Sequence, residues 1–333
     1  MSSPHHNSVL VIGGCDIAVF DINTQSNRVD GVKYIDGSLT SREHILQTLQ
    51  ETKPRVIIHT ASPKLMIQAN TRQLFTDVNI NGTAILLSCI KEVGATAAIV
   101  YTSSSSVIYN NMTNLYYTHT KAVAEQLILS ANKKGELYTA VTRAALLFGE
   151  GDTTSTPKMV ENARAGRAKF QVGDGTNLYD FTYIGNTAYA HLLAAKALIP
   201  EFNATEPVPN DKKINGEAFV TTNDDSWPFW EFTRAVSAAA GHPVNKEKLW
   251  VVPASVYYAF AVIVEWTIWL FSFGRKEPMI NRRMVKYLTL TRTFDISKAK
   301  QRLGYRPLVS MQEGIQRAVD YYVAHHPEEK KKV

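Results

Sequence analysis

Cysteine is scarce: only Cys15 and Cys89 occur in 333 residues. Two thiols in a chain this long exclude a disulfide-built scaffold and fit a reducing compartment. Side chains with metal-ligand spacing are missing too, so no metal centre is expected. No basic run interleaves with aromatics despite a net charge of +6, which argues against a nucleic-acid groove. The polar stretch Met1–Ser8 lacks a signal-peptide pattern. Internal repeats are absent, and low complexity is confined to the Glu/Lys tail. What is there, 45% hydrophobic and 20% charged, suffices for one large α/β unit or two interleaved lobes.

Short apolar runs alternate with longer stretches of helical spacing, the pattern of βαβ units and a parallel sheet. Strands are expected at Val9–Ile12, Ile17–Phe20, Val56–His59, Ala98–Tyr101 and Tyr138–Leu146. Helices are expected at Ser41–Glu51, Thr71–Val93 and Thr120–Ala131. The expected fold class is α/β: a Rossmann-type, doubly wound parallel sheet over residues 1–150 and a smaller C-terminal substrate lobe over 151–333. Loops around Pro157 and Pro207–Asn210 make the second lobe less regular.

From Val251 to Phe273 nearly every residue is apolar and only Glu265 is charged. About 20 such residues can cross a bilayer, but a carboxylate near the middle costs a few kcal/mol. Two readings stay open: a membrane-embedded or interfacial helix, or a buried helix-loop-helix roofing an apolar substrate cleft. Arg275, Lys276, Arg282, Arg283 and Lys286 follow it and suit a headgroup boundary. The tail Lys330–Val333 matches a dilysine retrieval pattern, although short basic tails are common.

The densest chemistry is Tyr117-Thr-His-Thr-Lys121. Residues at i and i+4 stack on one helix face. An ammonium about 4 Å from a phenolate contributes roughly 4 kcal/mol at an effective dielectric of about 20. That lowers the phenol pKa by roughly three units and yields a base near neutrality. Tyr and Lys at this spacing are common, so the pair alone is weak. Upstream, however, the apolar run Ala98–Tyr101 ends in the hydroxyls of Thr102–Ser106, and strand ends are where doubly wound sheets place their sites. By register Ser104 is the favoured partner of the reacting oxygen, with Ser105 second.

With these motifs the chain resembles the extended short-chain dehydrogenase/reductases. Val56-Ile-Ile-His-Thr-Ala-Ser62, Asn79-Ile-Asn-Gly-Thr83 and Tyr101-Thr-Ser-Ser-Ser105 stand in the order and spacing of that superfamily. Arg143–Asp152, Asp180–Asn186 and Leu303-Gly-Tyr-Arg-Pro307 are similar to the 3β-hydroxysteroid dehydrogenase/isomerase branch, most of all to fungal sterol-4α-carboxylate 3-dehydrogenases (decarboxylating). The likeness runs from about residue 8 to 325. It implies NAD-dependent oxidation of a 3β-hydroxyl on a sterol or steroid-like molecule, with C4 decarboxylation or double-bond isomerisation following. Tyr117 would be the base, Lys121 its support and Ser104 the orienting hydroxyl. The cofactor set implied is Gly13, Gly14, Asp21, Asp36, Ala61 and Asn79, together with Tyr117 and Lys121; Asp21 favours NAD over NADP. The apolar segment and the dilysine-like tail add the expectation of a membrane surface, at the cytosolic face of the endoplasmic reticulum, or otherwise a place in the cytoplasm, with a homodimer left open. Nucleotide-sugar epimerases and dihydroflavonol-type reductases share Ser, Tyr and Lys and are the rival enzymes; a non-catalytic membrane scaffold is the rival of another kind.

One part of the pattern is broken. The superfamily opens with a strand, a G-x-x-G-x-x-G turn, a helix and a second strand ending in an acid. Here Val9–Cys15 is followed at once by Asp16–Asp21, so the first βαβ crossover is truncated. Parallel neighbours need a crossover of about a dozen residues; three permit a hairpin or a displaced strand. A second shortening is expected between Tyr109 and Tyr116, and Ala144 stands where Pro is usual. NAD binding is therefore expected to be weakened or lost in the chain as written. The explanations are a truncated gene model, a catalytically impaired homologue, or another way of holding the nucleotide.

Overall fold

The computed structural model describes residues 9–13, 16–63, 71–108, 116–273, 278 and 280–326. The chain divides into two compact units. One comprises Met1–Ala145, Thr187–Thr221 and Asp295–Arg306; the other comprises Leu146–Asn186, Thr222–Phe294 and Pro307–Val333. The first break falls near the expected residue 150, and two later segments then return to the first unit. Gly14, Cys15, the Tyr109–Tyr116 shortening up to residue 115, Arg275, Lys276 and the Lys330–Val333 tail lie outside the described residues.

The first unit is built on a seven-stranded sheet. Its strands are β1 (Val9–Gly13), β2 (Asp16–Asp21), β3 (Val32–Asp36), β4 (Val56–His59), β5 (Ala98–Ser104), β6 (Tyr138–Ala144) and the strand Glu217–Thr221. Across the sheet they run Glu217–Thr221, β6, β5, β4, β1, β2, β3. Helices α1 (Arg42–Thr52), α2 (Arg72–Phe75), α3 (Thr83–Val93) and α4 (Tyr116–Ser130) connect them. Strand alternation explains the double winding. Ile57, Ile99, Tyr101 and Val141 join Ile45, Leu86 and Ile128 of the helices on one face. Val56, Ala98, Val100 and Ala140 join Ala190, Ala194 and Leu198 of the helix Ile184–Asn203 on the other.

Of the two arrangements open to the shortened N-terminus, the hairpin is found. β1 pairs antiparallel with β2, from Val9↔Phe20 to Gly13↔Asp16, and antiparallel with β4, from Val9↔His59 to Ile12↔Val56. β2 and β3 are parallel, as are β4, β5, β6 and Glu217–Thr221. β1 thus sits between β4 and β2 but points against every other strand. The parallel order of the doubly wound sheet is broken at this one strand, as its connection, too short for a crossover, requires. On β2, Ala18 and Phe20 are buried in the cluster that contains Ile45 and Leu49 of α1, whereas Ile17 on the opposite face is 41% exposed.

Other departures are smaller. β3 was not expected, because an edge strand half open to solvent carries little apolar signal; Glu217–Thr221 is likewise short and set among loops. The expected strand Tyr138–Leu146 splits, with Leu146–Phe148 pairing instead with Phe181–Tyr183. The expected helix Thr71–Val93 is interrupted by a π-helical stretch, Thr76–Gly82. Gly82 is required there, since a Cβ would lie 2.8 Å from Leu39 Cγ.

The second unit packs aromatics around Phe181, whose ring stacks on Phe232 at 3.8 Å. Its apolar segment forms the helix Ala254–Ser272, preceded by the strand Trp250–Val252 and followed by the helix Arg282–Thr289. The pair is a helix-loop-helix, but the buried-roof reading is overturned. Ala261 is the one fully buried residue of Ala254–Ser272, while Trp266 is 64% and Phe271 80% exposed. Glu265 accepts hydrogen bonds from Arg282 N and Nε, both at 2.6 Å, which accounts for a lone carboxylate in an apolar helix.

Candidate active site

β5 is fully buried from Ala98 to Tyr101 and delivers hydroxyls at its carboxyl end. Ser104 is partly exposed, whereas Ser105 is fully buried. The Ser104 Oγ accepts from Ser106 N at 3.2 Å and Ser106 Oγ at 2.8 Å. Ser106 Oγ in turn accepts from Thr118 Oγ1 at 3.3 Å. This hydroxyl chain ties the strand end to the first turn of α4, beside Tyr117. The arrangement makes Ser104 the accessible hydroxyl of the pair.

α4 places Tyr117, Lys121 and Glu125 at successive i+4 positions. Tyr117 is partly buried, with its ring edge-on to Phe75 at 5.8 Å. Lys121 is buried; its ammonium donates to the Thr102 carbonyl and lies 4.5 Å from the centre of the Tyr101 ring. Glu125 is buried and forms a bidentate pair with Arg143 on β6. The electrostatics differ from the sequence expectation. Burial pushes the Tyr117 phenol up to about 12, and pushes the Lys121 amine down to about 7 against the opposing pull of Glu125. An ammonium directed at a carbonyl and a ring face does not lower the phenol, and desolvation of the would-be phenolate wins.

Two buried histidines stand behind the pair. His191 Nε2 lies 2.6 Å from both Thr102 Oγ1 and Thr142 Oγ1, and its Nδ1 donates to Thr187 O at 2.7 Å. That pattern assigns the Nδ1–H tautomer, and burial lowers the ring to about 4. His59 Nε2 pairs with Thr83 Oγ1 at 3.0 Å; burial, then the Lys121 charge, lowers it to about 3. Both rings are neutral at physiological pH. Neither they nor the Glu125–Arg143 pair was singled out from sequence. Glu125 had a signal, the i+4 step beyond Lys121; His191 reaches Thr102 across 89 residues and had none.

The nucleotide half is divided. Asn79, within the π-helical stretch, donates Nδ2 to Thr120 Oγ1 at 2.9 Å, and Thr120 Oγ1 donates to Tyr117 O at 2.9 Å. Among the described residues, Asn79 Oδ1 and Ser62 Oγ are buried without hydrogen-bond partners; such orphans are costly unless a ligand meets them. Ala61 is buried just past the end of β4. Asp21 and Asp36 close β2 and β3 side by side. Asp21 is buried and accepts from Asn23 N, whereas Asp36 accepts from Thr24 N, Thr24 Oγ1 and Gln25 Nε2. The Thr24 hydroxyl, then the Thr24 N–H, hold Asp36 below the usual carboxylate range.

Gly13 is not brought to this site. It follows Ile12, which faces Val56 at the amino end of β4; Ser104 lies at the far end of β5, whose Ala98 also faces Val56. Seven residues along the strands separate the two levels, roughly 20 Å. The residues present therefore fit the ribose and nicotinamide ends of a dinucleotide. Among the described residues none forms the glycine turn at the carboxyl edge whose backbone N–H groups would hold its pyrophosphate.

The 3-beta hydroxysteroid dehydrogenase/isomerase family matches residues 9–116 and 114–253. The chain is 36% identical over 307 residues to a 3beta-hydroxysteroid-dehydrogenase/decarboxylase (isoform 1) of Arabidopsis thaliana, covering 87% of this chain and 67% of the plant protein. It is 35% identical over 348 residues to the decarboxylating sterol-4-alpha-carboxylate 3-dehydrogenase of Schizosaccharomyces pombe, covering 94% and 96%. A UDP-glucose 4-epimerase of Thermotoga maritima, solved with UDP-glucose, shares the fold at a TM-score of 0.65 and 17% identity, covering 94% and 92%.

Proposed function

Because the chain belongs to the 3-beta hydroxysteroid dehydrogenase/isomerase family of oxidoreductases, we propose that it oxidises the 3β-hydroxyl of a sterol or steroid-like substrate bearing a C4 carboxylate. The observation that carries this reading is Tyr117 and Lys121 on α4, joined to Ser104 through the Ser106–Thr118 hydroxyl chain. Ser104 Oγ donates to the substrate oxygen and orients it. Lys121, turned from the Thr102 carbonyl toward the phenol, supports the Tyr117 phenolate formed when the phenol releases its proton to solvent, and the phenolate Oη then takes the substrate hydroxyl proton. Asn79 steadies the Tyr117 carbonyl through Thr120.

The hydride acceptor proposed is NAD, with NADP disfavoured by two carboxylates where a 2′-phosphate would sit. Its binding is weakened, because the described residues offer the pyrophosphate no glycine turn. Once C3 is a ketone, the C4 carboxylate is β to a carbonyl. Its bond to C4 breaks, CO₂ leaves and the electron pair forms a C3–C4 enolate, which takes a proton at C4 to give the ketone. The name of the Schizosaccharomyces pombe relative supports decarboxylation over isomerisation. The exposed apolar helix Ala254–Ser272 supports a membrane surface as a second partner, and the sterol-4-alpha-carboxylate 3-dehydrogenase relatives support the endoplasmic reticulum as its place.

The test is oxidation of a 4α-carboxysterol by the full chain with NAD⁺ in excess, followed by NADH absorbance and CO₂ release. Tyr117→Phe should lower the rate about 10²–10⁴-fold with its fold intact. Equal rates in parent and variant defeat the assignment of Tyr117. The reversed β1 favours a second reading, a catalytically impaired homologue; absence of turnover in the parent at saturating nucleotide selects it.

A further inference from the structure

The helix pair of the second unit has both feet on one short stretch of chain. The strand Trp250–Val252 enters it paired with Phe170–Val172. On the way out, Asn177 Nδ2 donates to Leu288 O at 3.2 Å and Leu290 O at 3.1 Å, and Arg292 N donates to Leu178 O at 2.7 Å. A crossing helix must carry its end about 30 Å through hydrocarbon. Here the returning chain already meets the helix at Glu265, near its middle, where Arg282 N and Nε bond the carboxylate. A crossing arrangement would sink that ion pair and the exposed Arg283 and Lys286 into the bilayer centre, at a cost of several kcal/mol.

The faces of Ala254–Ser272 point to another arrangement. Tyr257, Ala261, Val264, Glu265, Ile268 and Ser272 form the covered stripe, stepping by three or four residues. On the opposite side Val256, Phe260, Ile263, Trp266, Leu270 and Phe273 form an exposed apolar row, roughly 26 Å long at 1.5 Å per residue. The only charge of the helix is on the covered stripe, already neutralised. Beside it, Arg283 and Lys286 are exposed on the helix Arg282–Thr289. An apolar row along the whole length of a helix, with cations alongside, matches a helix lying in the plane of an anionic lipid surface.

We propose that this helix pair is a monotopic anchor: Ala254–Ser272 lies flat in one leaflet on its Val256–Phe273 row, and Arg283 and Lys286 engage anionic headgroups. The proposal deepens the membrane partner named above. It is tested without nucleotide or sterol, so its failure leaves the catalytic reading untouched.

The full chain is mixed with vesicles of phosphatidylcholine, with and without phosphatidylserine, and sedimented. Binding should be stronger to the anionic vesicles. Arg283→Gln and Lys286→Gln should each remove about fivefold of that preference, and Trp266→Glu, on an exposed position that leaves the fold intact by circular dichroism, should abolish binding. Quenching by brominated lipids gives the depth: the emission lost in Trp266→Phe should be quenched by bromines near the headgroups. Quenching chiefly by bromines at the chain ends means a crossing helix and overturns the proposal. So does absence of vesicle binding together with a dimer that Trp266→Glu splits, which makes a second copy the occupant of the row.

Discussion

Replacing Lys121 by methionine removes a titratable group from the interior while keeping its length. Burial, opposed by Glu125, takes the amine from its ordinary 10.5 down to about 7. At about 1.36 kcal/mol per unit, that fall corresponds to roughly 5 kcal/mol of folding free energy lost to the charged amine. The sign follows from proton counts. Below pH 7 both states hold the proton and the full penalty applies. Between 7 and 10.5 the unfolded chain keeps a proton that the folded chain has released, so parent stability climbs with pH. Lys121→Met is therefore expected to be several kcal/mol more stable than the parent near pH 6. From that gain, about 1–3 kcal/mol is subtracted for the lost bond to the Thr102 carbonyl. The gap should shrink by roughly 1.4 kcal/mol per pH unit on the way to pH 10. Urea unfolding followed by circular dichroism at stepped pH measures it, and groups common to both proteins cancel in the difference. A gap that is flat with pH, or a parent that is the more stable protein near pH 6, refutes the reasoning. The same substitution removes the charge proposed to support Tyr117, so stability and turnover should move in opposite directions.

Titration calorimetry with NAD⁺ should give a dissociation constant in about the millimolar range or weaker, because two or three charge-assisted N–H contacts, about 1.5–3 kcal/mol each, find no glycine-turn donors among the described residues at the carboxyl edge of the sheet; micromolar binding contradicts this. Arg143→Met leaves the Glu125 carboxylate buried and unpaired and should cost about 3–5 kcal/mol of stability. The double variant with Glu125→Leu should recover most of it in denaturant melts. Gly82→Ala drives a methyl group to 2.8 Å from Leu39 Cγ and should cost about 1–3 kcal/mol, read as a lower urea midpoint at unchanged slope.

The legible parts of the fold were those written in continuous apolar runs. β4 matches its expected bounds, and β5 was found together with the hydroxyls that end it. Tyr117 and Lys121 were legible because an i+4 spacing determines which residues share a helix face. Spacing does not say where a long side chain ends. Burial pushes the Tyr117 phenol up, against the expected direction, while the Thr102 carbonyl, supplied by β5, claims the Lys121 ammonium. The helix Ala254–Ser272 was recognised, but its exposure was not, since apolar composition reads alike in a buried and an exposed helix. The count of three residues before Asp16 excluded a parallel crossover; only the pairing itself selected the hairpin.

That hairpin alters how the sheet assembles. In a crossover topology the first strand waits for a helix to form and fold back before it can find its neighbour. Here β1 and β2 are nearest neighbours along the chain, and a pairing of this kind forms on the order of microseconds. The N-terminus thus becomes a local, early-forming element in a sheet otherwise made of slow, distant pairings. β4 then pairs with an edge that the hairpin itself supplies. A strand's position follows from its apolarity, its direction from the length of the link that follows it, and the two have come apart in this molecule.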